Sequence, residues 1–119
     1  MNRPPLGLTL AARFISARDG DTQVYSLLDG RFRPAIRLIG VDCPEAHTDA
    51  GRAATRFVVN LLENTLDITV HIPTPRNVAN LLANLSFDRL PGYVFLGPHR
   101  TLQDALLNTG HAIRTKTRP

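Results

Sequence analysis

The run Ala35-Ile36-Arg37-Leu38-Ile39-Gly40-Val41-Asp42-Cys43-Pro44-Glu45 is β-rich, broken by one charge and stopped by one proline. Branched and apolar residues around Arg37 read as a strand, and Pro44 ends it because proline has no N–H to give a ladder. Beyond it, Thr48 or Asp49 caps a helix whose Ala54, Phe57, Val58, Leu61 and Leu62 keep the spacing of one buried face to about Asn64. Toward the N-terminus, Leu6, Leu8, Leu10, Ala12 and Phe14 alternate as a half-buried strand that ends at the turn Asp19-Gly20-Asp21-Thr22. Gln23 to Leu28 forms a second strand, turned by the hairpin signal Asp29-Gly30. Toward the C-terminus, Leu66, Ile68, Val70 and Ile72 alternate and stop at Pro73-Thr74-Pro75, and Gly92 to Leu96 makes a fifth strand. Val78, Leu81, Leu82 and Leu85 carry the spacing of a short helix; Thr101-Leu102-Gln103-Asp104 is a capping box opening a helix to about Asn108, with Gly110 at its C-cap. The pattern predicts a mainly β domain, a five-stranded OB-fold barrel with two or three helices.

At 119 residues the chain suffices for one domain that buries roughly two-thirds of its unfolded surface. A single cysteine, Cys43, excludes an intrachain disulfide and a multi-cysteine zinc site. The apolar runs are too short for a membrane span, and Asn2-Arg3-Pro4-Pro5 leads into no signal-peptide core, so a reducing cytoplasm is the expected compartment and no membrane partner is expected. A net charge of +4 and a pI near 10.2 suit a polyanionic partner without naming one. All the basic side chains but Lys116 are arginines, which grip oxyanions bidentately; compositional bias explains most of them, so only arginines at special positions carry the argument.

Acidic residues are few and unevenly placed. Asp19, Asp21, Asp42 and Glu45 fall in the turns after the first and third strands, which an antiparallel meander brings to one end of the sheet. Asp21, Asp42 and Glu45 would repel one another there unless a cation or strong donors compensate, and a hard oxygen-ligated ion such as Ca²⁺ or Mg²⁺ is the natural solution. Asp19 is better read as a turn residue that bonds its own backbone. Arg37 interrupts an apolar strand, so its charge must snorkel, pair or face a ligand. Strict alternation sets Arg37 and Asp42 on opposite faces, so their joint use requires a bulge or a strand that ends before Asp42. Arg89 stands just before the fifth strand, where it could reach over the barrel rim or lie exposed on a loop.

The order and spacing of Asp19-Gly20-Asp21-Thr22, Arg37 to Glu45 with its following helix, and Phe87-Asp88-Arg89 before a strand resemble the staphylococcal nuclease-like (thermonuclease) family over about residues 8–113. The resemblance implies a Ca²⁺-dependent endonuclease, with Mg²⁺ the other candidate ion, that cleaves the P–O5′ bond of DNA or RNA and leaves a 3′-phosphate; a single-stranded substrate is expected. It further implies that Asp21, Asp42 and the Cys43 carbonyl hold the ion, that Glu45 is the general base, and that Arg37 and Arg89 clamp the scissile phosphate.

This chain departs from that family at three places. The usual Tyr-Gly-Arg turn reads Phe87-Asp88-Arg89, which puts a carboxylate beside Arg89. The tyrosines flanking the base pocket of the best-known member are replaced by a stretch in which Arg114, Lys116 and Arg118 would hold a strand by charge, and that member's third helix has no counterpart. The expected layout is an N-terminal extension over residues 1–7, the barrel over 8–113 and a basic tail over 114–119, monomeric by default. The competing reading is a non-catalytic single-stranded nucleic-acid-binding module derived from a nuclease. His47, His71, His99 and His111 lack metal-ligand spacing, Cys43 beside Asp42 reads as a packing residue rather than a nucleophile, and Ser16, Ser26 and Ser86 lack a nucleophile context.

Overall fold

Strand β1 (Leu8–Asp19) is long enough to serve two neighbours. In the computed structural model, which describes residues 7–73 and 89–115, its first half, Leu8 to Ala12, pairs antiparallel with β5 (Ile68–Ile72). Its second half, from Arg13, pairs with β2 (Thr22–Ser26), and register shifts between Phe14 and Ser16 and between Ala17 and Asp19 bend the strand between the two. Such irregularities increase local twist, which lets a short sheet curl shut. β2 pairs with β3 (Ala35–Leu38), β3 runs parallel to β6 (Arg89–Leu96), and β6 returns to β5, so the order β1-β2-β3-β6-β5 closes a barrel. The architecture is a closed five-stranded, OB-type barrel with two α-helices among the described residues. The short helix expected over residues 78–85 lies outside the described residues.

The inward positions are those the alternation selects. Tyr25, Ile36, Leu38, Val70, Ile72 and Val94 are buried and pack into one core. Helix α1 (Asp49–Glu63) closes one side of it: Thr48 is the N-cap, accepting the Gly51 N–H at 3.0 Å, and Ala54, Val58 and Leu62 are buried. Helix α2 (Leu102–Asn108) is capped by Thr101, which accepts the Asp104 N–H at 3.0 Å. It ends in a Schellman motif, with Gly110 N–H bonded to Leu107 O and His111 N–H to Leu106 O, and Gly110 takes the left-handed φ of +77° that this ending requires. No helix among the described residues is long and apolar enough to cross a membrane.

The second strand ends at Ser26 rather than Leu28, Leu66 is exposed ahead of β5, and three further local expectations change. The third strand does not continue to Val41: β3 stops at Leu38, and a separate β4 (Val41–Asp42) follows a turn at Ile39-Gly40, where Gly40 has φ +88°. The fifth strand starts three residues earlier, because parallel pairing with β3 recruits Arg89 to Gly92; Arg89 is therefore a strand residue rather than a loop residue. Arg114 is not the start of a free tail: it lies in β7 (Ile113–Arg114), paired with Val41, and the Thr115 N–H donates to Gly40 O at 3.1 Å.

Candidate functional site

Two turns meet at one end of the barrel. In the first, the Asp21 N–H donates to Asp19 Oδ1 at 3.1 Å, the local turn role expected of Asp19. The Leu38 N–H donates to Asp21 O at 2.9 Å, which fastens this turn to the end of β3. In the second, the reversal at Gly40 brings Asp42 back beside Arg37, which removes the opposition of faces that strict alternation imposes.

Arg37 holds both turns. Its Nη1 donates to Leu38 O at 2.6 Å and Val41 O at 2.8 Å, while Nη2 pairs with Asp42 Oδ1 and lies 3.5 Å from Asp21 Oδ2. The same Asp21 Oδ2 accepts the Cys43 N–H at 2.9 Å, and Thr22 Oγ1 donates to Oδ1 at 3.5 Å. Glycine makes the approach of the two turns possible. A Cβ on Gly20 would fall 2.6 Å from Cys43 Sγ and 2.9 Å from Ala54 Cβ.

The Asp21 side chain is only 13 % exposed. Burial, followed by the neighbouring Asp19, raises its pKa above the ordinary 3.8, against the lowering effects of the Cys43 N–H and Arg37. The protein's own donors thus leave this anion short of full compensation. The Cys43 thiol is pushed up to about 12, first by burial and then by Asp21, Asp19 and Asp42, so it is neither a nucleophile nor a thiolate ligand.

The remaining predicted residues are placed differently. Glu45 is 80 % exposed, with His47 Nε2 3.5 Å from its carboxylate. Its backbone is fixed all the same, since Glu45 O accepts from Thr48 N and Thr48 Oγ1. A Cβ on Gly51 would lie 1.8 Å from Glu45 O, so the start of α1 and this loop touch backbone to backbone. Arg89 is exposed on β6, and the pairings Ala35 to Arg89 and Arg37 to Pro91 set both arginines on the outer face of the barrel. Strand spacing and rise put their Cα atoms roughly 8 Å apart. Arg114 is exposed beside Val41, whereas Lys116, Arg118, Phe87 and Asp88 lie outside the described residues.

Asp21 and Asp42 are therefore brought together by Arg37, Cys43 is tied to Asp21 through its N–H, and Glu45 is not part of that contact. No group of three His, Cys, Asp or Glu side chains is arranged to hold a metal among the described residues. Two carboxylates, one of them largely buried, are hard oxygen donors of the kind Ca²⁺ or Mg²⁺ takes, and the Arg37 guanidinium stands between them in this structure. The histidines do other work. His71 is buried with Nδ1 2.7 Å from Thr9 Oγ1, and His111 stacks on Phe57 at 4.5 Å.

Sequence reasoning missed the buried amides behind the two turns. Gln23 is fully buried; its Nε2 donates to Gly20 O at 2.9 Å, and Tyr25 Oη donates to its Oε1 at 2.9 Å. Gln103 from α2 donates to Ile39 O and Gly92 O and accepts the Val94 N–H. Each turn thus has a glutamine clip from the core. The available signal was a glutamine on the inward register of a strand, two residues from an inward tyrosine. No protein-family model and no curated protein matches the chain.

Proposed function

We propose that the chain is a metal-assisted endonuclease of the thermonuclease type, hydrolysing phosphodiester bonds of single-stranded DNA or RNA. The observation that carries this reading is the Asp21–Arg37–Asp42 constellation, in which a guanidinium is locked between two carboxylates by two backbone carbonyls. It joins three of the residues whose spacing resembles the nuclease family, and it stands on the same outer face as Arg89.

Ca²⁺, or Mg²⁺, held by Asp21, Asp42 and the Cys43 carbonyl would supply positive charge to the phosphate oxygens. Arg37 and Arg89 bind the phosphate from the barrel face and offset the charge that develops on its oxygens during in-line attack. Each is worth roughly 2.7–4 kcal/mol, by analogy with a lost oxyanion donor. Glu45, fixed by its backbone and exposed at its carboxylate, takes the proton of the attacking water. The P–O5′ bond breaks, the 5′ oxygen takes up a solvent proton, and the phosphate stays on the 3′ side.

The exposure of Glu45 favours a second reading, a binding module that has kept the phosphate grip without hydrolysis. Cleavage and binding of a labelled single-stranded DNA, with Ca²⁺, with EGTA and with Glu45→Gln, separate the two. The enzyme reading expects cleavage to vanish in EGTA and to fall by about 10²–10⁴ in the variant while binding persists. Cleavage that survives both treatments removes this mechanism, and binding without any cleavage leaves the module.

A further inference from the structure

Alternation and register continue the arginine-bearing face away from the acidic turns. On β3, Arg37 stands partly exposed between the buried Ile36 and Leu38, and Arg33 is exposed two residues before the strand begins. On β2 the corresponding positions are Thr22, Val24 and Ser26, paired in turn with Arg37, Ala35 and, on β1, Arg13. Arg13, opposite Ser26, stands on the outer face that carries Arg37, and Arg33 is exposed beside it. They line an open cavity of about 480 Å³, with Ser26 and Asp29 on its wall. Both are exposed, and neither has an ion-pair partner among the described residues, although Asp29 stands beside them. Ser26 lies four residues along β2 from Thr22, roughly 13 Å from the acidic turns by strand rise.

We infer that this cavity is a second phosphate site, in which Arg13 and Arg33 grip the backbone of the same single strand away from the cleavage point. The chemistry is that of a phosphodiester oxyanion: two guanidinium forks and a hydroxyl around an open, mainly polar hollow whose apolar side chains are only Ala11 and Ala12. The span fits one barrel tracking a strand, since OB-folds cover about 4–16 nucleotides. The inference rests on nucleic acid being the partner proposed above, and not on cleavage.

The test is the binding of a fluorescein-labelled oligothymidylate to the full chain in EGTA, measured by anisotropy between low and moderate salt. Arg13→Gln/Arg33→Gln should weaken binding roughly tenfold at low salt and flatten the slope of log K against log salt by about 1.4, the value for two lost single-strand phosphate contacts. Arg13→Lys/Arg33→Lys should restore the slope, and Arg56→Gln, an exposed arginine on α1, should change it by no more than half a contact. The inference is overturned if the double variant binds like the parent, or if Arg56→Gln loses as much as one of the pair. A parent that binds in this pattern yet never cleaves with Ca²⁺ removes the nuclease reading and leaves the second site standing.

Discussion

The Asp21–Arg37–Asp42 cluster and the Glu45–Arg89 pair face the same proposed phosphate, but they are built in opposite ways. In the first, every polar group is tied to backbone or to another charge, and a fully buried glutamine supports the turn beneath it. In the second, only the backbone is fixed and the side chains reach into solvent. The difference teaches where the free energy of the fold is invested. A group that must hold charge in a set place is preorganised by the core, whereas a group that exchanges protons or meets a ligand keeps its rotamer freedom and orders only on binding.

The hardest way to break this division is at the one backbone contact that anchors the exposed half. Glycine to alanine inside a helix is ordinarily favourable by up to about 1 kcal/mol. At Gly51 the sign should reverse, because the new Cβ would sit 1.8 Å from Glu45 O and 2.6 Å from its carbonyl carbon. Neither atom can rotate away. Gly51→Ala is expected to destabilise by about 3 kcal/mol or more in urea unfolding, among the larger single-residue effects. A neutral or stabilised variant would mean that the loop bearing Glu45 is not fixed against α1, and the contrast would lose its second member.

How much of this was legible beforehand follows from which signals are local. Leu8, Leu10, Ala12 and Phe14, the Ile68–Ile72 alternation and the Ala54, Val58, Leu62 spacing are periodicities a strand or helix imposes on its own residues, so they read directly. The capping residues Thr48 and Thr101 read for the same reason. The break at Ile39-Gly40 did not, because it depends on Arg37 bonding two carbonyls three residues apart, a tertiary event inside a run of good strand formers. Likewise Arg89 joins a strand through a parallel neighbour distant in sequence, and Arg114 through β4. The acidic residues were visible as an uneven distribution. That Asp21 and Asp42 would share a guanidinium while Glu45 stood apart was not, since composition carries no information on side-chain direction.

Loosening the wired half from below should cost less. Gln23→Leu leaves the Tyr25 hydroxyl without its acceptor and Gly20 O without its donor, both in the core. An abandoned buried polar group costs about 1–3 kcal/mol, so a loss in that range is expected by urea unfolding. Adding Tyr25→Phe should recover part of it, because removing both partners is milder than stranding one. If the two losses simply add, the Tyr25–Gln23–Gly20 chain does not act as a unit, and the support attributed to the core amide is wrong.

The smallest effect asks whether the wired half is held for a ligand or for the fold. Asp21 has a folded pKa above 3.8, so the native protein binds that proton more tightly than the unfolded chain does. Its contribution to stability is therefore present in acid and lost as pH rises from 3.8 through the folded value. Asp21→Asn keeps an oxygen that can accept the Cys43 N–H and removes the uncompensated charge. At pH 7 the variant should be as stable as the parent or more so, by up to about 1 kcal/mol, as when a strained functional site is relaxed. Its advantage should shrink as both proteins are acidified, and cleavage should be lost throughout. A variant 2 kcal/mol less stable at neutral pH would instead make the Arg37 contact a structural ion pair, because the carboxylate would then be stabilising the barrel, not waiting in it at a cost that only a bound cation offsets.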